Sequence, residues 1–216
     1  MKTFKKGGYY VREVPHQVTG SRLHLVVLNT VMYSTKLRPA VQSVKDPYGQ
    51  LEWMDSVLQG IRESGGTAWI IGHIPPGKDT FARKPQWVDR YVHKYLHIVS
   101  EYRYGGFCYV HKFMRIVSEY KDLITAQLFG HTHSDEFRAF PERDYNTHES
   151  ASGPHNRHHM PKGPPKVPIL IGGAVSPLFG NNPSYRVVEY HRKTSELKYR
   201  EICIAGVSTM PFELMH

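Results

Sequence analysis

Hydrophobic residues along this 216-residue chain form short uninterrupted runs, separated by polar stretches with helical periodicity. A short apolar run bounded by turn-forming residues predicts a buried strand. Such runs lie at residues 23–28, 67–71, 124–129 and 168–171, and two runs with more polar residues follow at 185–190 and 197–204. Because strands alternate with helical segments, we predict an α/β fold, with the last two strands as an antiparallel edge.

A helix is predicted between the first two strands, because apolar residues recur there at intervals of three or four and so share one face. The residues of this face are Leu51, Met54, Leu58 and Ile61. Asp46-Pro47 is typical of a helix start, with Asp46 as the N-cap, and Gly65-Gly66 is typical of a helix end. A second helical region is predicted between residues 87 and 123.

The second helical region contains an internal repeat. Residues 91–102 and 109–120 are identical at nine of twelve positions, at an offset of 18 residues. This offset is about five turns at 3.6 residues per turn, so a continuous helix would present both copies on one face. Gly105-Gly106 argues against continuity. We interpret 91–120 as a duplicated helical segment, from a local tandem duplication or a gene-model error, with a functional repeat as the alternative.

Composition adds a basic balance, with 28 Lys and Arg against 19 Asp and Glu and a formal net charge of +9. Such a balance suits nucleic acid, anionic lipid or a phosphate substrate, but it also describes an ordinary solvated surface. The positive residues are spread out and no nucleic-acid-binding motif is present, so specific nucleic-acid binding is not expected.

The residues alone do not indicate the cellular compartment of the protein. Cys108 and Cys203 could pair, but neither lies in a metal-binding spacing. No apolar run is long enough to predict a transmembrane helix. The basic N-terminal residues are not followed by the apolar region of a signal peptide, so none is expected on this sequence.

Three histidines follow directly on predicted strands. His73 comes after the strand at 67–71, while His131 and His133 come after the strand at 124–129. Ligands of open α/β sheets bind beyond the carboxyl ends of strands, and imidazole is a good ligand for zinc, manganese and iron. Glycine precedes His73 and His131, which would let the backbone turn sharply. An extended His131-x-His133 would present both rings on one side. A structural role is the alternative for each histidine, but the two similar motifs together favour a metal site.

Residues 141–166 form a segment rich in proline, glycine and charge, which we predict to be a flexible, solvated insertion. Its histidines could also bind metal adventitiously: His148, His155, His158 and His159.

Several motifs, in this order, resemble the calcineurin-like metallophosphoesterases, and more closely their acid sphingomyelinase-like phosphodiesterase branch. The motifs are Gly7-Gly8-Tyr9-Tyr10, Leu28-Asn29-Thr30, Gln50-Leu51-Glu52-Trp53, Gly72-His73-Ile74-Pro75-Pro76-Gly77, Gly130-His131-Thr132-His133-Ser134-Asp135-Glu136-Phe137 and Gly180-Asn181-Asn182-Pro183-Ser184-Tyr185-Arg186. The resemblance implies a β-sandwich flanked by helices, of the four-layer α/β/β/α type, with residues 1–216 as the C-terminal half and the N-terminal half missing.

The resemblance also implies a site. His73 and His131 match the histidines of one divalent metal, and His133 matches a histidine of the other, with zinc as the expected metal of a dinuclear centre. Two metals would polarise the phosphoryl oxygens and supply a hydroxide that attacks phosphorus. The implied activity is metal-dependent hydrolysis of a phosphodiester, from a sphingolipid or a nucleotide, by a secreted or lysosomal enzyme.

The sequence departs from the resembled pattern in its acidic ligands. It contains no Asp-x-His, Gly-Asp or Gly-Asn-His, which implies a missing N-terminal half as a partner. Three imidazoles without a carboxylate could hold a single zinc ion but not a bimetallic site. The alternative hypothesis is therefore a catalytically inert fragment or paralogue that binds a metal or a partner.

Overall fold

The computed structural model describes residues 2–15, 22–38, 44–100, 123–138, 167 and 169–204. Its helices are α1 (Lys2–Gly7), α2 (Gln50–Glu63) and α3 (Asp89–Ser100). Its strands are β1 (Tyr10–Glu13), β2 (Leu23–Val27), β3 (Thr67–Ile71), β4 (Ile124–Phe129), β5 (Glu136–Arg138), β6 (Ile169–Ile171), β7 (Ser184–Tyr190) and β8 (Leu197–Ile204). Short 3-10 turns cover Thr30–Tyr33, Pro47–Gly49 and Leu178–Gly180.

Six strands form the central sheet, in the order β1-β2-β3-β4-β6-β5. The four inner strands run parallel, and β1 and β5 pair antiparallel at the two edges. Connections between parallel strands must cross over the sheet, and α2 makes the crossover between β2 and β3. The predicted α/β fold is confirmed, and the strands at 67–71 and 124–129 have the predicted bounds.

One face of this sheet is covered by α2 and α3. The predicted apolar face of α2 is confirmed, because Leu51, Met54 and Leu58 are fully buried and Ile61 is 4% exposed. On α3, the rings of Tyr91 and Tyr95 are buried with Trp87 in the same core. The Tyr95 hydroxyl donates to Gln127 Oε1 of β4 over 2.6 Å, which satisfies the buried polar groups of both.

The start of α2 differs from the prediction. Asp46 caps a 3-10 turn, Pro47–Gly49, and the α-helix itself begins at Gln50. The Asp46 carboxylate nevertheless accepts hydrogen bonds from the α2 amides of Leu51 (3.2 Å) and Glu52 (3.0 Å). It also pairs with Lys94 Nζ of α3 at 2.9 Å. One carboxylate therefore fixes the first turn of α2 and ties α3 to it.

The last two strands correct a second prediction, because β7 and β8 form a separate two-stranded antiparallel sheet and are not an edge of the central one. Alternating burial in β7 is compatible with either arrangement, so the sequence pattern alone could not distinguish them. The inner residues of this small sheet pack on the second face of the central sheet, against Leu23, Trp69 and Ala126: they are Val188, Tyr190 and Leu197.

Trp69 joins the two sheets. Its indole Nε1 donates to the Ser195 carbonyl (2.9 Å) in the β7–β8 turn and to Thr125 Oγ1 (3.0 Å) on β4. Its ring contacts Tyr190 edge to face, with centroids 5.3 Å apart. The described residues thus form a helix layer, a sheet layer and a second sheet layer, which are three of the four layers of the predicted α/β/β/α arrangement.

Several predictions fall outside the described residues: the second copy of the repeat at 109–120, Cys108 and the insertion at 141–166. The first copy is described from Tyr91 to Ser100 and is helical, as predicted. In the described parts of the chain, no helix combines the length and apolar character that crossing a membrane requires.

Replacing Trp69 with phenylalanine should loosen the second sheet, because the shared N–H donor and the pyrrole part of the indole are lost while a six-membered aromatic ring remains. We expect a decrease of about 1–2 kcal/mol in the free energy of unfolding, measured by urea denaturation with circular dichroism. Hydrogen exchange should accelerate most at residues 184–198. The control Thr125→Val removes only one acceptor and should have a smaller effect. Equal stability of Trp69→Phe and the wild-type chain would contradict the role of the indole.

Candidate metal centre

The predicted site lies where β3 and β4 end. These strands are parallel neighbours in which Ile71 pairs with Leu128, so the segments that follow them leave the sheet side by side. The Gly72 amide donates to the Leu128 carbonyl (3.0 Å), and the Gly130 amide donates to the His73 carbonyl (2.9 Å). These two bonds join the turn that carries His73 to the turn that carries His131.

His73 and His131 form a pair. His131 Nδ1 lies 3.2 Å from His73 Nε2, and the rings meet edge to face with centroids 5.0 Å apart. Zinc binds imidazole nitrogen at about 2.0–2.1 Å, so two such ligands on a tetrahedral ion lie roughly 3.3–3.4 Å apart. The observed separation fits two nitrogens on one ion. In the absence of metal it also suits a hydrogen bond between neutral rings, with roles set by the tautomers.

The electrostatic surroundings favour neutral His131. Burial lowers the pKa of His131 below its usual value, and the nearby His73 and Lys36 lower this pKa further. Asp79 acts in the opposite direction and His133 adds a smaller lowering. Metal binding requires a neutral imidazole, so the surroundings of His131 favour the form of this side chain that can bind a divalent metal.

His133 lines the same cavity as His131 but makes different contacts. Its ring meets Phe179 edge to face with centroids 5.5 Å apart, and its carbonyl accepts a hydrogen bond from Asn181 Nδ2 over 2.9 Å. Its Nδ1 is buried without a hydrogen-bond partner among the described residues, as expected of a nitrogen that awaits a ligand.

The three predicted histidines are therefore only partly brought together. Within the described residues, no group of three or more His, Cys, Asp or Glu side chains is arranged to hold a metal ion. His73 and His131 are in contact, while His133 shares a cavity with His131. Their assignment as metal ligands remains a prediction.

The backbone at the two later histidines corrects the expected geometry. If the backbone were extended, His131-x-His133 would present both rings on one side, and the glycine before His131 would allow a sharp turn. Instead, His131 (φ 77°) and His133 (φ 59°) both adopt the left-handed conformation, while Gly72 and Gly130 do not. Histidine tolerates this region better than most residues do. The left-handed residues of this turn are therefore the histidines themselves and not the glycines that precede them.

Gly72 is required for packing. A Cβ atom at this position would lie 2.7 Å from Phe129 Cε1 and 2.7 Å from Thr30 Cγ2. Thr30 Oγ1 accepts a hydrogen bond from the Ile74 amide at 2.8 Å, so it holds the backbone just after His73. Gly130 has no such crowding, because the nearest atom to its hypothetical Cβ is His73 Nδ1 at 3.8 Å.

His131 and His133 border a cavity of about 640 Å³. Its other lining residues come from separate loops and turns: Lys36, Asp79, Thr80, Phe81, Ala82, Thr132, Ser134, Glu136, Phe179 and Asn181. Lys36 and Asp79 were not predicted as site residues, because each lies in a loop without a recognisable motif. Asn181 was part of a resembling motif, but no role was assigned to it. Phe81 (92% exposed) and Phe179 (83% exposed) give the cavity an aromatic rim.

Comparison with known proteins supports the resemblance. No model of a protein family matches the sequence. Sphingomyelinase phosphodiesterase D from Dictyostelium discoideum is 28% identical over 177 residues, which are 82% of this chain and 33% of that protein. Acid sphingomyelinase-like phosphodiesterase 3b from Homo sapiens is 29% identical over 196 residues, 90% of this chain and 36% of that protein. Sphingomyelinase phosphodiesterase C from Dictyostelium discoideum is 30% identical over 195 residues, 88% and 36% respectively.

The homologues of this chain are thus phosphodiesterases. More narrowly, they are acid sphingomyelinase-like phosphodiesterases, and the predicted resemblance is confirmed at that level. The chain spans about a third of the length of these relatives.

The two glycines provide a matched pair of substitutions. Gly72→Ala should lower the free energy of unfolding by about 1–3 kcal/mol, because Phe129 or Thr30 must move to admit the methyl group. Gly130→Ala should be neutral or slightly stabilising, since its site has room and alanine restricts the unfolded chain. Urea denaturation of both variants tests this difference. Equal destabilisation by the two substitutions would show that Gly72 is not limited by packing.

Proposed function

We propose that this chain is the metal-binding part of a metal-dependent phosphodiesterase, and that residues 1–216 correspond to the C-terminal half of a metallophosphoesterase domain. In this proposal His73 and His131 hold one divalent metal, zinc in the first instance, and His133 contributes to a second. The observation that carries the proposal is the 3.2 Å separation of His131 Nδ1 and His73 Nε2 at the ends of two parallel strands.

A divalent metal bound here would act as a Lewis acid toward a phosphoryl oxygen. The chain's own residues would bind and orient the ester. Lys36 lies on the cavity wall near His131, where its positive charge suits a phosphate group. Polar side chains elsewhere on the wall, among them Thr80, Ser134 and Asn181, can bond to the groups esterified to that phosphate.

The substrate class is proposed from the relatives' activities. Sphingomyelin phosphodiesterase from Homo sapiens is 28% identical over 189 residues. Cyclic GMP-AMP phosphodiesterase from Bos taurus is 24% identical over 202 residues. Both names describe phosphodiester hydrolysis, so we propose a phosphodiester of a sphingolipid or a nucleotide as the substrate. By the same resemblance we propose a secreted or lysosomal location.

Metal binding can be tested in a variant whose histidine-rich insertion can no longer bind metal. The background variant replaces the insertion's four histidines with glutamine: His148, His155, His158 and His159. In this background we expect Co²⁺ to bind with a visible absorption spectrum of nitrogen ligation, and Zn²⁺ to displace it. His131→Asn and His73→Asn should each weaken binding at least tenfold, because each removes one imidazole ligand.

The matched control is His191→Gln, which changes an exposed histidine of the β7–β8 turn and should leave Co²⁺ affinity unchanged. Absence of Co²⁺ binding in the background variant would refute the proposed metal role. Binding that is equally sensitive to His191→Gln would do the same, since it would indicate dispersed surface sites.

Hydrolysis is expected to be weak in this chain, because its sequence lacks the acidic ligands of the resembled bimetallic site. Turnover of bis(p-nitrophenyl) phosphate with added Zn²⁺ or Mn²⁺ measures this directly. We expect little or no rate above metal alone. Turnover typical of an intact enzyme, abolished by His131→Ala, would show that the chain assembles a complete catalytic site and would reject the inert alternative.

A further inference from the structure

The loop that carries two of the candidate ligands has few strong bonds of its own. This site loop, residues 130–135, contains two left-handed non-glycine residues, His131 and His133. Its internal backbone bond runs from the Thr132 amide to the Gly130 carbonyl over 3.0 Å. The side chains of Thr132 and Ser134 add only long contacts of 3.4 and 3.5 Å. Such a loop keeps one conformation only if neighbouring elements hold it.

Two contacts to the site loop come from the segment that enters the second sheet, residues 181–186, here called the anchor segment. Asn181 Nδ2 donates to the His133 carbonyl at 2.9 Å. Arg186 forms an ion pair with Asp135 through Nη2, and the same nitrogen lies 3.5 Å from the Ile171 carbonyl at the end of β6. The site loop is thus held at His133, a candidate ligand, and again at Asp135, two residues later.

Arg186 is an unfavourable residue if stability alone is considered. Its side chain is only 11% exposed, and its Nε and Nη1 atoms are buried without a hydrogen-bond partner in the part of the chain that the structure describes. A partly buried ion pair with unsatisfied donors contributes little net stability, and replacing both partners of such a pair with apolar residues is often neutral or stabilising. The carboxylate that Arg186 contacts belongs to Asp135 of the site loop, and this position offers a different reason for the presence of Arg186.

We infer that Asn181 and Arg186 are positioning residues, which hold the site loop in the conformation that directs His131 and His133 to the cavity. The inference about loop geometry stands on the contacts of the anchor segment. Its consequence for metal affinity rests on the proposed function.

The first test uses the full chain without metal. Arg186→Met preserves length and apolar volume but removes the ion pair and the unsatisfied donors. We expect hydrogen exchange at residues 130–138 to accelerate at least tenfold, while the urea midpoint changes little, because the partly exposed Asp135 carboxylate (28%) can be solvated by water once the arginine is gone. A merely structural arginine would lower the urea midpoint and accelerate exchange throughout the sheet. Either that result or unchanged exchange in the loop would overturn the inference for Arg186.

Substitutions at the partner and at the second contact complete this test. Asp135→Asn should accelerate loop exchange like Arg186→Met, and the double variant should be no faster than either single variant, because both remove one interaction. Arg186→Lys should restore part of the protection. Asn181→Ala should accelerate exchange near His133. Additive effects of the first two changes, or no effect of Asn181→Ala, would count against the positioning role.

The second test measures Co²⁺ affinity in the background that lacks the insertion's histidines. Asn181→Ala and Arg186→Met should each weaken binding by about 10–100-fold, the usual effect of removing a group that orients a metal ligand. Arg192→Gln, at an exposed position of the β7–β8 turn, is the control and should have no effect. Wild-type affinity in both variants would overturn the inference. Absence of Co²⁺ binding in the background itself would refute the proposed function, while the exchange measurements would still decide the positioning role.

Discussion

The parallel pairing of β3 and β4 is the constraint on which the site depends. Parallel neighbours end at the same side of a sheet, so residues that are far apart in sequence begin their loops within bonding distance. Here that arrangement allows the Gly130 amide to reach the His73 carbonyl and brings two imidazoles into contact across 58 positions of sequence. A one-residue shift in this register would exchange the two faces of β4 and separate the rings.

The sequence predicts the parts of the molecule that depend on one local pattern. The two central strands and the apolar face of α2 follow from runs and periodicities of apolar residues, because burial of those residues determines their conformation. Strands β1 and β5 were not predicted: they are short edge strands, and β5 presents Phe137 at 70% exposure. The second sheet was predicted as strands but assigned to the wrong sheet, because alternation specifies which side is buried and not what buries it.

In the candidate site, too, local sequence patterns predict some features and not others. The three histidines could be identified because each follows a recognisable strand, but their geometry could not, since the left-handed conformations depend on contacts made by distant residues. Asp79 illustrates the difficulty. Its carboxylate accepts hydrogen bonds from the amides of Phe81 (2.9 Å) and Ala82 (2.7 Å), which shapes a turn that lines the same cavity as the histidine loop. Nothing in the local sequence indicates that this turn shares a cavity with the candidate ligands His131 and His133, about fifty residues later.

The backbone conformation at positions 131 and 133 limits which side chains can occur there. Glycine adopts the left-handed conformation without strain. Asparagine, aspartate and histidine are the next most tolerated residues, whereas β-branched residues are strongly disfavoured. Three of these four side chains carry nitrogen or oxygen atoms that can coordinate a cation. The shape of the loop therefore restricts mutational change mainly to glycine and to three residues whose side chains can coordinate a cation, so any tolerated replacement other than glycine would keep a potential ligand atom at these positions.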